Sequence, residues 1–172
     1  MVDEEPVPMN IEFIYVNGDV KLSDSYSVLK TITSDSPLYG QRSDSEKIRV
    51  DEWIEFCKSL EVPVSVLVWL ATGNLSRDAV PVLAEKKARS DIMLSLRKLE
   101  VALKETPYLT GDNVTIADII IGCCLRPLFM LVFGEVERKN NPCLCAWISK
   151  LYASVSERSR CSWKLWVKLR YW

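Results

Sequence analysis

The chain has 172 residues, 48% of them hydrophobic, and a formal net charge of −1 at pH 7. This length fits one domain, or two small ones that share a core. The near-neutral charge argues against a general polyanion-binding protein, and no apolar run reaches the roughly 18 residues of a membrane-spanning helix. The acidic start, MVDEEPVP, lacks the basic and apolar parts of a signal peptide.

The chain contains six cysteines and no histidine. Cys143 and Cys145 are too close together for a usual zinc pair. We interpret the cysteines as reduced, mostly buried thiols of a cytoplasmic protein. We expect neither a metal site nor a cofactor.

The N-terminal part predicts a strand pair and one short helix. We expect a loose tail over residues 1–10 and a strand over residues 11–16. Asn17-Gly18 is typical of a hairpin turn, and residues 19–22 would form the returning strand. Asp24 and Ser25 then favour a helix cap, with the helix running to Ile32.

A linker follows, marked by Ser36-Pro37 and Gly40, and Ser43 and Glu46 have the spacing of a capping box. We expect Pro63 to bend or interrupt the helix that begins there, and a second segment to end at Leu70, before a turn over residues 71–74. Apolar residues recur at helical spacing along the first segment: Val50, Trp53, Ile54, Cys57 and Leu60.

A long helix is predicted over residues 81–104. One face carries Ile92, Leu96, Leu99 and Leu103. The charge run over residues 85–91, EKKARSD, is typical of a solvated helix face.

The clearest local signal is a second capping box, in which Thr115 is followed three residues later by Asp118. Val114 and Ile119 are placed to form a hydrophobic staple around it. The apolar sequence that follows predicts a buried central helix, then a break near Gly134 and a last helix over residues 142–154. We interpret this box as structural.

Three stretches resemble the glutathione transferases. Residues 108–118, YLTGDNVTIAD, resemble the capped central helix of that family's C-terminal domain. Residues 17–32 resemble the end of its thioredoxin-like half, and residues 38–40 and 50–56 its linker and first C-terminal helix.

The resemblance implies a mostly α, glutathione-transferase-like (GST-like) fold. A truncated thioredoxin-like α/β half would span residues 11–40, and an all-α, GST C-terminal-like helical bundle residues 41–156. A basic and aromatic segment would follow at residues 157–172.

The family's enzymes bind glutathione on the thioredoxin-like half. Only 42 residues precede the second helix here, about half of that subdomain, and Ile11 stands where the family has its cis-proline. Asp24 and Ser25 lie where the family holds the γ-glutamyl group, which leaves glutathione binding as an alternative to capping.

The resemblance therefore implies a non-catalytic module of the translation machinery. Such modules belong to aminoacyl-tRNA synthetases, an auxiliary factor of the multi-synthetase complex and the gamma subunit of elongation factor one, and they assemble complexes by pairing GST-like domains as homodimers or heterodimers. The alternatives are a glutathione-dependent transferase and a tRNA-binding accessory domain. Enzymatic activity is disfavoured because the chain has no histidine to act as general base and no glycine-rich phosphate loop.

The family's two-fold pairing implies partner contacts on the short helix and the helix after it. Trp53 could equally be a core residue. A second surface would lie around Trp147, although Ala146 replaces the family's usual arginine beside it. The candidates on the first surface are Tyr26, Leu29, Lys30, Arg49, Trp53 and Phe56.

Residues 159–172 interleave cations with aromatic residues. Aromatic rings can stack on bases while cations meet phosphates, so a weak tRNA contact is one interpretation. The segment could instead pack over the bundle, or be an altered end whose natural continuation is missing. The RNA-contact candidates are Lys164, Trp166, Lys168 and Arg170.

Overall fold

In the computed structural model the chain is described at residues 15–17, 20–22, 24–40 and 43–158, with side chains at residues 22, 24–40 and 43–153. The predicted tail, Ile11 and the RNA-contact candidates Lys164, Trp166, Lys168 and Arg170 lie outside the described residues.

The predicted strand pair is present, and residues 18 and 19 between its strands lie outside the described residues. Strand β1 (Tyr15–Asn17) pairs antiparallel with strand β2 (Val20–Leu22), and Asn17 lies opposite Val20. Asn17 is therefore the last residue of β1, whereas the sequence predicted that the strand ends at residue 16. Residues 11–14 of the predicted first strand lie outside the described part.

Helix α1 (Ser25–Thr33) begins behind a single cap. The Asp24 carboxylate accepts a hydrogen bond from the Ser27 backbone N–H at 2.8 Å, while Ser25 is already helical. A short 3₁₀ turn (Pro37–Tyr39) then leads to Gly40, whose φ of 88° lies in the left-handed region that glycine adopts without strain.

Helix α2 (Asp44–Thr72) is continuous, so Pro63 does not interrupt it, and the predicted bend stays a prediction. Pro63 lies inside it, and the helix ends two residues beyond Leu70, at Thr72, before Gly73. A proline removes one helical hydrogen bond and crowds the preceding turn. Leu60, Val64 and Leu67 are buried on both sides of Pro63, so tertiary packing holds the helix together across it.

The remaining helices follow the predicted order, except that the sequence did not predict the short helix just after Gly134. Helix α3 spans Val82–Glu105, helix α4 Ile116–Leu131, helix α5 Glu135–Asn140 and helix α6 Pro142–Arg158. The break at Gly134 is confirmed. The predicted inner face of α3 is also confirmed as buried, at Ile92, Leu96, Leu99 and Leu103.

Helix α4 is the centre of the bundle, as predicted. Nine of its 16 residues are buried, and α2 and α6 pack against it. Helix α6 comes closest at Gly122, where a Cβ atom would lie 2.5 Å from a methyl carbon of Leu151. Tyr152 donates a hydrogen bond to the Gly122 carbonyl at 2.9 Å. The missing side chain at Gly122 therefore lets α6 approach α4 closely.

The prediction of mostly buried thiols was only partly correct. Among the described cysteines Cys57 is buried, while Cys124, Cys143 and Cys145 are half-buried and Cys123 is exposed. Adjacent helix positions point in different directions, which places Cys123 on the outer side of α4.

Candidate partner interface

Helix α1 is fixed to the N-terminal part of α2 by a shared carboxylate. Lys30 forms an ion pair with Asp51 at 2.9 Å, and the Tyr39 hydroxyl donates to the same Asp51 oxygen at 2.8 Å. The hydrogen bond to Asp51 raises the pKa of Lys30. The pKa of Tyr39 is also raised, mainly by burial and to a smaller extent by its hydrogen bond to Asp51. Lys30 is therefore engaged within the chain, which reduces its availability to a partner.

Tyr26 fixes the other end of α1. Its hydroxyl donates to the Glu61 carboxylate and lies 4.0 Å from the Cys57 sulfur, and its ring lies beneath the Lys58 ammonium group at 5.4 Å. The pKa of Tyr26 is raised, mainly by burial and to a smaller extent by the hydrogen bond to Glu61. Its side chain is half-buried and packs against the core, so a partner contact by Tyr26 stays a prediction.

Cys57 lies beneath Tyr26 with no exposed surface. The pKa of the neighbouring Cys124 is raised, first because its thiol hydrogen-bonds to Cys57 and then because of burial. A nucleophilic thiol needs both thiolate character and access to its substrate. Cys57 lacks the access, and Cys124 lacks the thiolate character.

Trp53 and Phe56 connect α2 to the rest of the bundle. The Trp53 indole N–H donates to the Leu109 carbonyl at 3.0 Å, and the two rings meet edge to face at 5.4 Å. Both side chains are half-buried and pack against the core. Their described contacts are therefore structural.

Trp147 is a core residue, and its assignment to a partner surface was wrong. Its side chain is 3% exposed, and its indole N–H donates to Asp118 at 3.0 Å. An indole that fills the space between two packed helices and satisfies a buried carboxylate is not available to a partner.

Asp118 is buried and joins three segments. A capping box with Thr115 opens α4. One Asp118 oxygen accepts from the backbone N–H of Thr115 at 2.9 Å and from its hydroxyl at 3.1 Å. The other oxygen accepts from the Leu109 N–H and from Trp147, both at 3.0 Å. The staple remains a prediction: Val114 packs against the core, and Ile119 is 36% exposed.

The Asp24 carboxylate is also engaged within the chain. It accepts from the Ser27 hydroxyl at 2.7 Å in addition to the Ser27 N–H. These bonds, that with the hydroxyl first, lower the pKa of Asp24. This geometry is that of a helix cap, the first of the two sequence interpretations.

Two of the predicted partner residues remain exposed, Leu29 at 37% and Arg49 on the first turns of α2. Ile32 and Ile48 are 58% and 59% exposed and were missed. Helical spacing could have indicated Ile32, which lies three residues after Leu29 on α1. Helical spacing could also have indicated Ile48, which lies two residues before Val50 and off the apolar stripe of α2. The surface of α1 and α2 thus presents three exposed aliphatic side chains beside one exposed arginine.

No helix among the described residues is long and apolar enough to cross a membrane. The same residues contain no cluster of acidic side chains and cysteines suited to a metal ion.

Residues 79–154 match the family model described as "Glutathione S-transferase, C-terminal domain". The helical bundle has a GST C-terminal-like fold. Solved structures show the same fold: the GST-like domain of elongation factor 1-gamma from Saccharomyces cerevisiae superposes with a TM-score of 0.69 at 17% identity, over 78% of this chain and 64% of that one. Glutathione transferase F2 from Populus trichocarpa also gives 0.69, at 20% identity over 91% of this chain and 74% of that one.

Sequence relatives of the GST-like chain include translation factors. Elongation factor 1-gamma 1 from Oryza sativa subsp. japonica is 32% identical over 71% of this chain, and elongation factor 1-gamma from Artemia salina 31% identical over 57%. The chain spans only 28% and 22% of those proteins. These relatives support a translation-factor GST-like domain and give no support to the synthetase alternatives.

Proposed function

We propose that this chain is a non-catalytic interaction module that enters a cytoplasmic translation elongation complex by pairing with another GST-like domain. The observation that carries the proposal is the set of exposed aliphatic residues on two helices that are fixed to each other. Leu29, Ile32 and Ile48 are 37–59% exposed, and Arg49 lies next to Ile48.

Three physical arguments support a partner surface on α1 and α2. In the proposed thioredoxin-like half, residues 11–40, the described sheet has two strands, so each strand has an edge that a partner could cover. Burying the three aliphatic side chains would contribute favourably to association. A standard interface buries roughly 1,600 Å² in total, which requires a surface wider than one helix.

The side-chain bonds that join α1 to α2 favour binding of a partner domain. Asp51 and Glu61 hold the two ends of α1, so the exposed side chains sit on a pre-formed support. A surface that is already ordered loses less conformational entropy on binding. A two-fold pair would use this surface twice, once from each domain.

The test is the double variant Ile48→Glu/Arg49→Glu, which avoids Tyr26 because a new carboxylate there would face Glu61. The matched control is Val136→Glu/Lys139→Glu on α5, where Val136 is 68% exposed. Sedimentation velocity measures self-association of the 172-residue chain. Capture from native cytosol, followed by mass spectrometry, identifies any partner with a GST-like domain.

We expect the wild type and the control to form the pair and the interface variant to weaken it by roughly 30-fold or more, the scale of a lost hot spot. Equal association by the two variants would overturn the proposal, as would a wild-type chain that neither self-associates nor captures a GST-like protein.

A further inference from the structure

The solvent face of α3 carries a regular pattern that the proposed function does not use. Its inner face is buried, at Ala88, Ile92, Leu96, Leu99, Glu100 and Leu103. On the opposite side Leu83, Leu94 and Val101 are 78%, 57% and 59% exposed. These three positions are eleven and seven residues apart, close to three and two full helical turns, so they lie in one row along the helix.

Cations flank this row on both sides. Each aliphatic residue is followed three positions later by a basic one, and these three basic residues form a second row with the same spacing: Lys86, Arg97 and Lys104. Lys87 and Lys98 stand four positions after Leu83 and Leu94 and flank the row on its other side. We call Leu83, Leu94, Val101 and these five cations the α3 stripe.

Most of the charge on the α3 stripe is uncompensated. Lys87 forms an ion pair with Asp91 at 2.7 Å. The other four cations are exposed and form no ion pair within the part of the chain that the structure describes: Lys86, Arg97, Lys98 and Lys104. This local positive charge contrasts with a net charge of −1 for the whole chain.

We propose that the α3 stripe is a docking surface for an acidic amphipathic helix of a second protein. An aliphatic row with charge on both sides is the arrangement by which one helix recognises another, since the apolar row supplies burial and the flanking charges select sign and orientation. The row from Leu83 to Val101 covers 18 residue steps, or about 27 Å. A matching partner helix therefore needs about five turns, with aliphatic residues on one side and Glu or Asp along both borders.

Other anionic partners fit the α3 stripe less well. Single-stranded nucleic acid would need aromatic rings for stacking, and residues 82–105 contain no aromatic side chain. A membrane surface would need a broad apolar face that can sink into the lipid boundary. Here the broad apolar face of α3 is buried in the bundle, and the large aliphatic residues that face outward are the row of three and Val82 on the first turn, which do not form a broad face.

The probe is a fluorescein-labelled synthetic peptide of 21 residues with leucine at heptad positions a and d and glutamate at e and g; the comparison peptide carries lysine at e and g. Fluorescence anisotropy measures binding to the 172-residue chain at low and high salt. Two variants remove the two parts of the α3 stripe separately, Arg97→Glu/Lys98→Glu and Leu94→Ser/Val101→Ser. The matched control is Lys139→Glu/Lys150→Glu, which reverses two exposed cations on α5 and α6.

We expect the glutamate peptide to bind at least tenfold more tightly than the lysine peptide, and salt to weaken its binding because exposed charges are screened. Each stripe variant should weaken it about tenfold or more, and the control by less than about twofold. Equal binding of the two peptides would overturn the proposal, as would equal binding by the stripe variants and the control. Binding only to phosphatidylserine vesicles or to single-stranded RNA, without the peptide, would also overturn it. The Ile48→Glu/Arg49→Glu variant should bind the peptide normally, so this test and that of domain pairing succeed or fail separately.

Discussion

Asp118 is buried, and each of its two carboxylate oxygens accepts two hydrogen bonds. Its side chain is 0% exposed and accepts four hydrogen bonds. A buried carboxylate is costly unless it is hydrogen-bonded. The bonds to Thr115 are local and follow from the capping-box spacing. The bonds to Leu109 and Trp147 depend on how the chain folds back, so residue spacing alone does not predict them.

We therefore expect unequal costs from the two halves of the capping box. Thr115→Ala should lower the free energy of unfolding by about 0.5–2 kcal/mol, the usual cost of a lost cap. Asp118→Ala should cost more than about 3 kcal/mol, because it leaves several buried donors unpaired. Urea unfolding measures both, with Asp112→Ala, an exposed aspartate just before the box, as the control. Equal midpoints for Asp118→Ala and Asp112→Ala would refute this account.

Helix α6 is capped by a residue from another helix. Glu100 on α3 is 6% exposed, and its two oxygens accept the N–H groups of Cys143 and Leu144 at 3.0 and 2.9 Å. The carboxylate satisfies two otherwise unpaired donors and interacts favourably with the positive end of the helix. It also raises the pKa of the Cys143 thiol, mainly through a hydrogen bond.

Loss of this long-range cap should be measurable. Glu100→Gln keeps the shape but directs an amide donor towards a backbone donor, and we expect a loss of about 1–3 kcal/mol. Glu105→Gln, on the exposed last turn of the same helix, is the control and should change the unfolding free energy by less than about 0.5 kcal/mol. Thermal unfolding followed by circular dichroism compares the two; indistinguishable melting temperatures would mean that α6 does not depend on Glu100.

At the scale of the whole molecule, the order of the helices and the core faces could be predicted, because periodicity and caps are local. The continuity of α2 through Pro63 could not, since it depends on burial of Leu60 and Val64 by other helices. The candidate interface was predicted least well. Tyr26 and Trp147 are of types common at interfaces, yet Tyr26 is half-buried and packs against the core, and Trp147 is buried in it.

The alternative of a glutathione transferase makes a separate prediction for the whole chain. We expect no saturable binding of glutathione at millimolar concentration by isothermal titration. The reasons are that the Asp24 carboxylate is engaged with Ser27 and that Cys57 is fully buried. A glutathione transferase measured in parallel controls for the assay. Saturable binding that Asp24→Ala abolishes would reassign Asp24 and Ser25 as ligand-binding residues.

The Asp118 junction also bears on how the domain opens. If α6 detached alone, Trp147 would leave a buried carboxylate oxygen, and the 107–111 loop that shares this oxygen would lose support. Partial opening therefore leaves a carboxylate in the first turn of α4 with fewer hydrogen bonds while it is still largely buried, which makes such opening unfavourable. Amide hydrogens in the middle of α4 and α6 should then exchange with solvent through one common opening and report a single cooperative unit.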